Sequence, residues 1–521
     1  MSNPDDEQGA AEGRAFAHME AACTGQLDDM RLLLDHPSAD PAALMMHTDD
    51  VGDIALTAAA HNGHVDAMLL LLNHPSADPA AMMVHASLDG VTALMLATQK
   101  GHVGGMRLLL DHPAADPAAM MMHTDHEGRT ALMLAAVEGH VDAVRLLLNH
   151  PSADPAALLT DTDGSGDTAL TLAANCGHTD AVRLLLEHPS ADPVDMLIHA
   201  EHEGNTALSL AAYCGHTDAM RQLLDHPSVD PVDMLIHADH EGNTALSLAA
   251  YCGHTDAMRL LLDHPSVDPV DMLTYTDHLG RTALMLATQK GHVGGMRLLL
   301  DHPAADPAAM MMHARLDGVT ALMLATQKGH VGGMRLLLDH PAADPAAMMM
   351  HARLDGVTAL ILAASFGYVD AMRMLLDHPC ADPAAMMMHT DMYGDTVLTE
   401  AAQFAAAVAS EEAPNPSCAP LLLLLRRVAA DPQPSDARQA HMTKVAEALL
   451  QGPRSNEMFD ADQPDDARDD CIRLLLEFRA RGFDLNSSVM SRIISEACAM
   501  ARVPHLLNEA VVGVAIARQQ Q

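Results

Sequence analysis

Apolar and polar positions follow one compound pattern along most of the chain. It is clearest at residues 90–123, GVTALMLATQKGHVGGMRLLLDHPAADPAAMMMH. Ala93, Leu94, Leu96 and Ala97 share one face of a helix, and Met106, Leu109 and Leu110 stand at i, i+3 and i+4 of a second. Thr92 is placed to cap the first helix, and Gly101 to end it. The second is predicted from about residue 103 to residue 111, and Pro113 cannot continue it comfortably. Leu108 heads a column that holds Gln222 and Met374 in other copies, so that column is expected to be only partly buried. Asp116 and Pro117 then read as the N-cap and first residue of a short third helix through Ala118, Ala119 and the methionines.

The pattern repeats. Its anchor glycine recurs at Gly25, Gly63, Gly101, Gly139, Gly177, Gly215, Gly253, Gly291, Gly329 and Gly367, always 38 residues apart. Ten copies without an insertion specify a modular array in which each unit buries its apolar face against its neighbours. Residues 199–236 and 237–274 differ only at Glu201/Asp239, Gln222/Leu260 and Ile236/Thr274, a sign of internal duplication. Residues 1–13 read as a disordered acidic tail and 14–403 as the array, ten units plus the start of an eleventh. Residues 404–521 read as divergent helical units capping it, or as a small separate helical domain. In the eleventh unit Ala405 stands where the anchor glycine belongs.

Composition narrows the function classes. The chain is 49% hydrophobic but only 2% aromatic and has no Trp, so its core must be Leu, Ala and Met. Net charge is −41, and residues 404–521 contribute only −4 of it (12 Lys/Arg against 16 Asp/Glu). An acidic array argues against binding a phosphate backbone, which needs clustered Lys and Arg. It suits a basic protein partner, although a solvated surface with no charge-specific role is the simpler reading. Eight cysteines do not make a disulfide framework in a chain of 521 residues, and Cys176, Cys214 and Cys252 merely share one repeat column. The N-terminus lacks an apolar signal core, and no stretch approaches ~20 consecutive apolar residues. The expectation is a soluble, monomeric, intracellular and cytoplasmic protein with neither membrane nor nucleic acid as partner.

The run G-x-T-A-L-x-L-A-x-x-x-G-H, an R-L-L-L helix and then A-D resembles the ankyrin repeat over residues 14–403. The resemblance implies an all-α ankyrin-repeat solenoid of stacked helix pairs and a role in binding another protein. Two departures stand out. Ala93 replaces the family's proline, and Met95, Thr171, Ser209 or Ile361 replaces its histidine. Each unit also has five residues more than the family's ~33, falling in the short third helix. That extra turn is expected in every unit, in place of much of the family's β-hairpin finger.

By the resemblance, partner contacts fall on the turn tips and on the first-helix positions before the anchor glycine. The latter are Gln99, Lys100, Val137, Glu138, Tyr213, Cys214, Tyr251, Cys252, Gln289, Lys290, Gln327, Lys328, Ser365 and Phe366, which vary while the scaffold columns stay fixed. Ordinary surface drift explains any one of them nearly as well. Met120, Met121 and Met122 are further candidates, because three consecutive methionines on one short helix cannot all face inward.

Other chemistry is weakly signalled. Three histidine columns, exemplified by His112, His102 and His123, repeat at the layer spacing of roughly 8–10 Å, too far apart for column mates to share a metal ion. The H-x-x-H-E runs at His199, His202 and Glu203 and at His237, His240 and Glu241 offer ligands but lack the helical H-E-x-x-H register. Asp161, Asp163 and Asp167 superficially resemble a calcium loop, but Leu172 stands where the closing glutamate belongs. Neither a phosphate-cradling glycine loop nor a G-x-S-x-G elbow occurs. No enzyme activity, metal or cofactor is expected.

Overall fold

The computed structural model describes residues 4–228 and 230–408, and beyond them residues 420, 421, 423, 424 and 427. They belong to two compact bodies, Met1–Asp277 and His278–Gln521. In both, the described residues are built mainly from the same three-helix repeat.

In the repeat that opens at Gly90 the helices are Ala93–Gln99, Val103–Leu110 and Pro117–Met121. Thr92 caps the first: its Oγ1 accepts the Met95 backbone N–H at 3.4 Å. Gly101 lies past its end at φ +70°, a left-handed conformation that costs a residue with a Cβ about 1–2 kcal/mol. Met106, Leu109 and Leu110 are buried as the spacing predicts, and each such side chain stabilises the fold by ~1.5–3 kcal/mol. Leu108, Gln222 and Met374 are half-buried, which explains why their column tolerates a glutamine.

The short third helix is present in every one of the ten repeats, from Pro41–Met45 to Pro383–Met388. Its start is the same each time. Proline needs no N–H at the first helical position, and the preceding aspartate accepts a backbone N–H, as Asp116 Oδ1 does from Ala119 at 3.2 Å. The turn that follows is a remnant of a hairpin. Single antiparallel bridges such as Ala86–Thr92 and Ala314–Thr320 close it, and no longer strand forms among the described residues.

Neighbouring repeats touch within each body through both their helices and their turns. First helices pack on first helices and second on second. Fully buried Ala93 and Ala97 allow the close approach. The turns are also tied by one backbone hydrogen bond per step. His126 N–H donates to Asp89 O at 3.0 Å and His202 N–H to Ser165 O at 3.0 Å in the first body, and Leu354 N–H to Asp317 O at 3.1 Å in the second.

The ends depart from the pattern. The first helix, α1 (Pro4–Thr24), includes most of the segment expected to be a disordered tail. Pro4 and the acidic Asp5, Asp6 and Glu7 suit a helix N-terminus, where the backbone dipole favours negative charge. It is followed by α2 (Leu27–Leu34), α3 (Pro41–Met45) and α4 (Ala55–His61). At the other end the helix Val397–Val408 runs through Ala405, because no glycine stops it there. The expected C-terminal cap, 404–521, lies almost wholly outside the described residues. No helix of the described residues is long and apolar enough to cross a membrane.

Candidate protein-binding surface

The histidine columns are part of the scaffold. Beside proline, the Nδ1 of His112 accepts the Ala114 N–H at 3.2 Å, and the same contact recurs in all ten repeats. At the end of the third helix, His123 Nε2–H donates to Gly90 O at 2.9 Å and so closes its own repeat. After the anchor glycine, His140 Nε2–H donates to Gln99 O in the preceding repeat at 3.0 Å, and His178 to Val137 O at 2.8 Å. These rings pack against the preceding anchor glycine: a β-carbon on Gly101 would lie 2.8 Å from His140 Nδ1. In the second body Tyr368 takes this place over Gly329 and stacks on Phe366, with centroids 6.0 Å apart.

The metal-like runs are consumed in the same way. His199 Nε2–H donates to Gly166 O at 2.8 Å. His202 packs on the turn, its Cδ2 2.7 Å from where a Gly166 β-carbon would be. Asp163 Oδ1 accepts the Ser165 and Asp167 N–H groups at 2.8 and 2.9 Å, so the calcium-like loop is a capped turn. Among the described residues, the group of potential ligands that does converge is Asp391, Asp395 and Glu400. Burial pushes the Glu400 carboxyl above the usual range, and Ser365 Oγ donates to it at 3.1 Å.

The first-helix candidates form the exposed C-terminal corner of each first helix. Lys100, Glu138, Tyr213, Lys290, Lys328 and Phe366 are exposed. Gln99, Val137, Tyr251, Gln289 and Gln327, two places before the anchor glycine in the column that also holds Tyr213, are half-buried. The carbonyls of Gln99, Val137 and Gln289 accept from the next repeat's histidine, which fixes the height of each exposed neighbour relative to the following layer. Tyr213 presents a large side chain at 45% exposure.

The methionine candidates need correction. Met120 and Met121 are buried, and only Met122 reaches the surface, at 38% exposure. Steps of 100° around the helix place two consecutive residues in the interior and turn the third outward. The inner two are core; the outward column is Met46, Val84, Met122, Ile198 and Ile236 in the first body and Met350 in the second.

Two further features went unread in the sequence. The residue after each turn glycine is matched to the third residue of the following helix. Asp53, Asp167 and Asp395 go with Thr57, Thr171 and Thr399, and Asn205 and Asn243 with Ser209 and Ser247. Val91, Arg129, Arg281, Val319 and Val357 go with Met95, Met133, Met285, Met323 and Ile361. The contact behind this is direct, since Ser209 Oγ lies 3.5 Å from Asn205 Oδ1. The second feature is His18, which is fully buried where the repeats from Leu56 to Leu398 have leucine. Reading the repeats as aligned columns would have exposed both.

Comparison with known proteins agrees with this architecture. A family model described as ankyrin repeats in three copies matches residues 18–121, 117–196, 153–234, 190–272, 228–311 and 270–349. A single ankyrin-repeat model matches residues 355–387. No curated protein matches the chain.

Proposed function

Since the chain belongs to the ankyrin-repeat family, we propose that it is a non-enzymatic scaffold that holds another protein on the exposed corners of its first helices. The observation that carries this reading is the split between constant and variable positions. Threonine caps, leucines, anchor glycines and histidines recur and are tied into the fold. Lys100, Glu138, Lys290, Lys328 and Phe366, one place before the anchor glycine, and Tyr213, two places before it, differ between blocks and are exposed. Aromatic side chains held on a rigid frame bury large contact area at little entropic cost, which makes Tyr213 and Phe366 the natural anchors. The acidic surface favours a partner of basic character.

A second reading is supported by residues 199–236 and 237–274, which are identical but for three positions. Duplication at that fidelity suits a spacer, whose length matters more than its surface. A third reading, an adaptor that recruits an effector through 404–521, rests on the sequence alone.

Affinity capture with the full chain separates these readings. Chemical cross-linking to a defined partner, abolished when Tyr213 and Phe366 are changed to alanine, supports the first. Absence of any captured protein favours the spacer. Capture that survives those changes but is lost on deleting 404–521 favours the adaptor.

A further inference from the structure

His18 is a histidine in a leucine's place. Every other repeat carries leucine in its column, from Leu56 and Leu94 to Leu360 and Leu398. The ring is completely shielded from solvent, and neither nitrogen has a hydrogen-bond partner. Its helix, α1, packs on α2, α3 and α4, whose buried residues include Met30, Leu34, Met45 and Leu56.

The charged groups around it offer no counter-ion. On α1 itself Glu12 and Glu20 are exposed and Arg14 is half-buried, and Asp5, Asp6 and Glu7 belong to its first turns. Asp28, Asp29 and Arg31 on α2 and His61 on α4 are exposed, and α3 carries no titratable residue. The charged neighbour that acts on His18 is His74, of like sign when protonated. A proton taken up here would therefore create an unpaired cation in an apolar interior, which the fold resists strongly.

We propose that His18 makes the first repeat an acid-released latch, in which protonation is accommodated only when α1 leaves its seat on α2 and α4 while the following repeats stay folded. Release is local because α1 is seated on α2, α3 and α4, and units of such arrays open without unfolding the rest. Burial, and secondarily His74, lower the pKa of His18 from 6.5 to about 4. The sign follows from that depression. The neutral ring is favoured in the docked state, so the docked state has its full stability above pH 6.5 and loses it as pH falls toward about 4. At pH 5 the two values correspond to a ~30-fold increase in the opening equilibrium.

Hydrogen exchange on the full chain, corrected for the intrinsic pH dependence of exchange, tests this at pH 7.5 and pH 5.0. Protection of α1 amides should fall by ~10- to 30-fold relative to the helix Ala93–Gln99. His18→Leu installs the residue of every other repeat and should abolish the difference. His18→Gln, polar but not titrating, should lower α1 protection equally at both pH values. A relative protection of α1 that is the same at both pH values overturns the proposal. So does a drop that persists in His18→Leu, because it would then belong to another group.

Discussion

His102 closes over Gly63 of the preceding repeat. A β-carbon on Gly63 would stand 2.7 Å from His102 Nδ1, and the same ring's Nε2–H donates to His61 O at 3.1 Å. The glycine is required twice, for its φ of +73° and for the space the ring occupies. Gly63→Ala should therefore cost more than the ~1–2 kcal/mol of the backbone alone. Hydrogen exchange should localise the loss to the helices on either side. Gly13→Ala, in α1 with nothing within 4 Å of the new methyl, should instead stabilise by about 0.5–1 kcal/mol. Urea unfolding of both variants makes the comparison; a loss at Gly63 no larger than ~1 kcal/mol would show that the ring yields.

The third helix separates core from surface between adjacent methionines. Met121→Ser should destabilise by about 2–4 kcal/mol, since it leaves a cavity and a buried hydroxyl. Met122→Ser, on the exposed side, should stay within about 0.5 kcal/mol. Equal losses at the two positions, read by thermal unfolding, would refute the assignment.

The matched turn pairs should couple. Asn205→Val and Ser209→Met each place an apolar group beside a polar one, whereas the double change recreates the pair at Val91 and Met95. A double-mutant cycle should give a favourable coupling of about 0.5–2 kcal/mol. Additive losses would mean that the pairing is inherited by duplication and has no energetic content.

Asp167 should make the protein less stable at neutral pH than an amide would. Burial raises its carboxyl above the usual range. A folded-state pKa above the unfolded value favours the protonated form in the fold, so its stabilising contribution is present at low pH and lost as pH rises through the folded value. Asp167→Asn should therefore raise stability at pH 7, and the gain should shrink as pH falls toward 4. Urea midpoints of both proteins across that range decide it; a gain that grows on acidification has the wrong sign.

The repeat and its helices are written in local signals along the chain. Ten glycines at a fixed interval, threonine caps, Asp-Pro starts and apolar residues at i, i+3 and i+4 are local signals, and local backbone chemistry answers them. The third helix appears in every repeat because Asp116 and Pro117 specify its first turn without outside help. Which exposed-looking residues are used up by contacts between repeats depends instead on how the layers pack. Met120 and Met121 are indistinguishable from Met122 in composition, and packing alone buries the first two. His102, His123 and His140 have the residue type of metal ligands, yet their nitrogens go to carbonyls 41, 33 and 41 residues away. His18 is an ordinary histidine until α2 and α4 close around it. Spacing along the chain specifies a helix, but the fate of a polar atom depends on what the next layer brings to it.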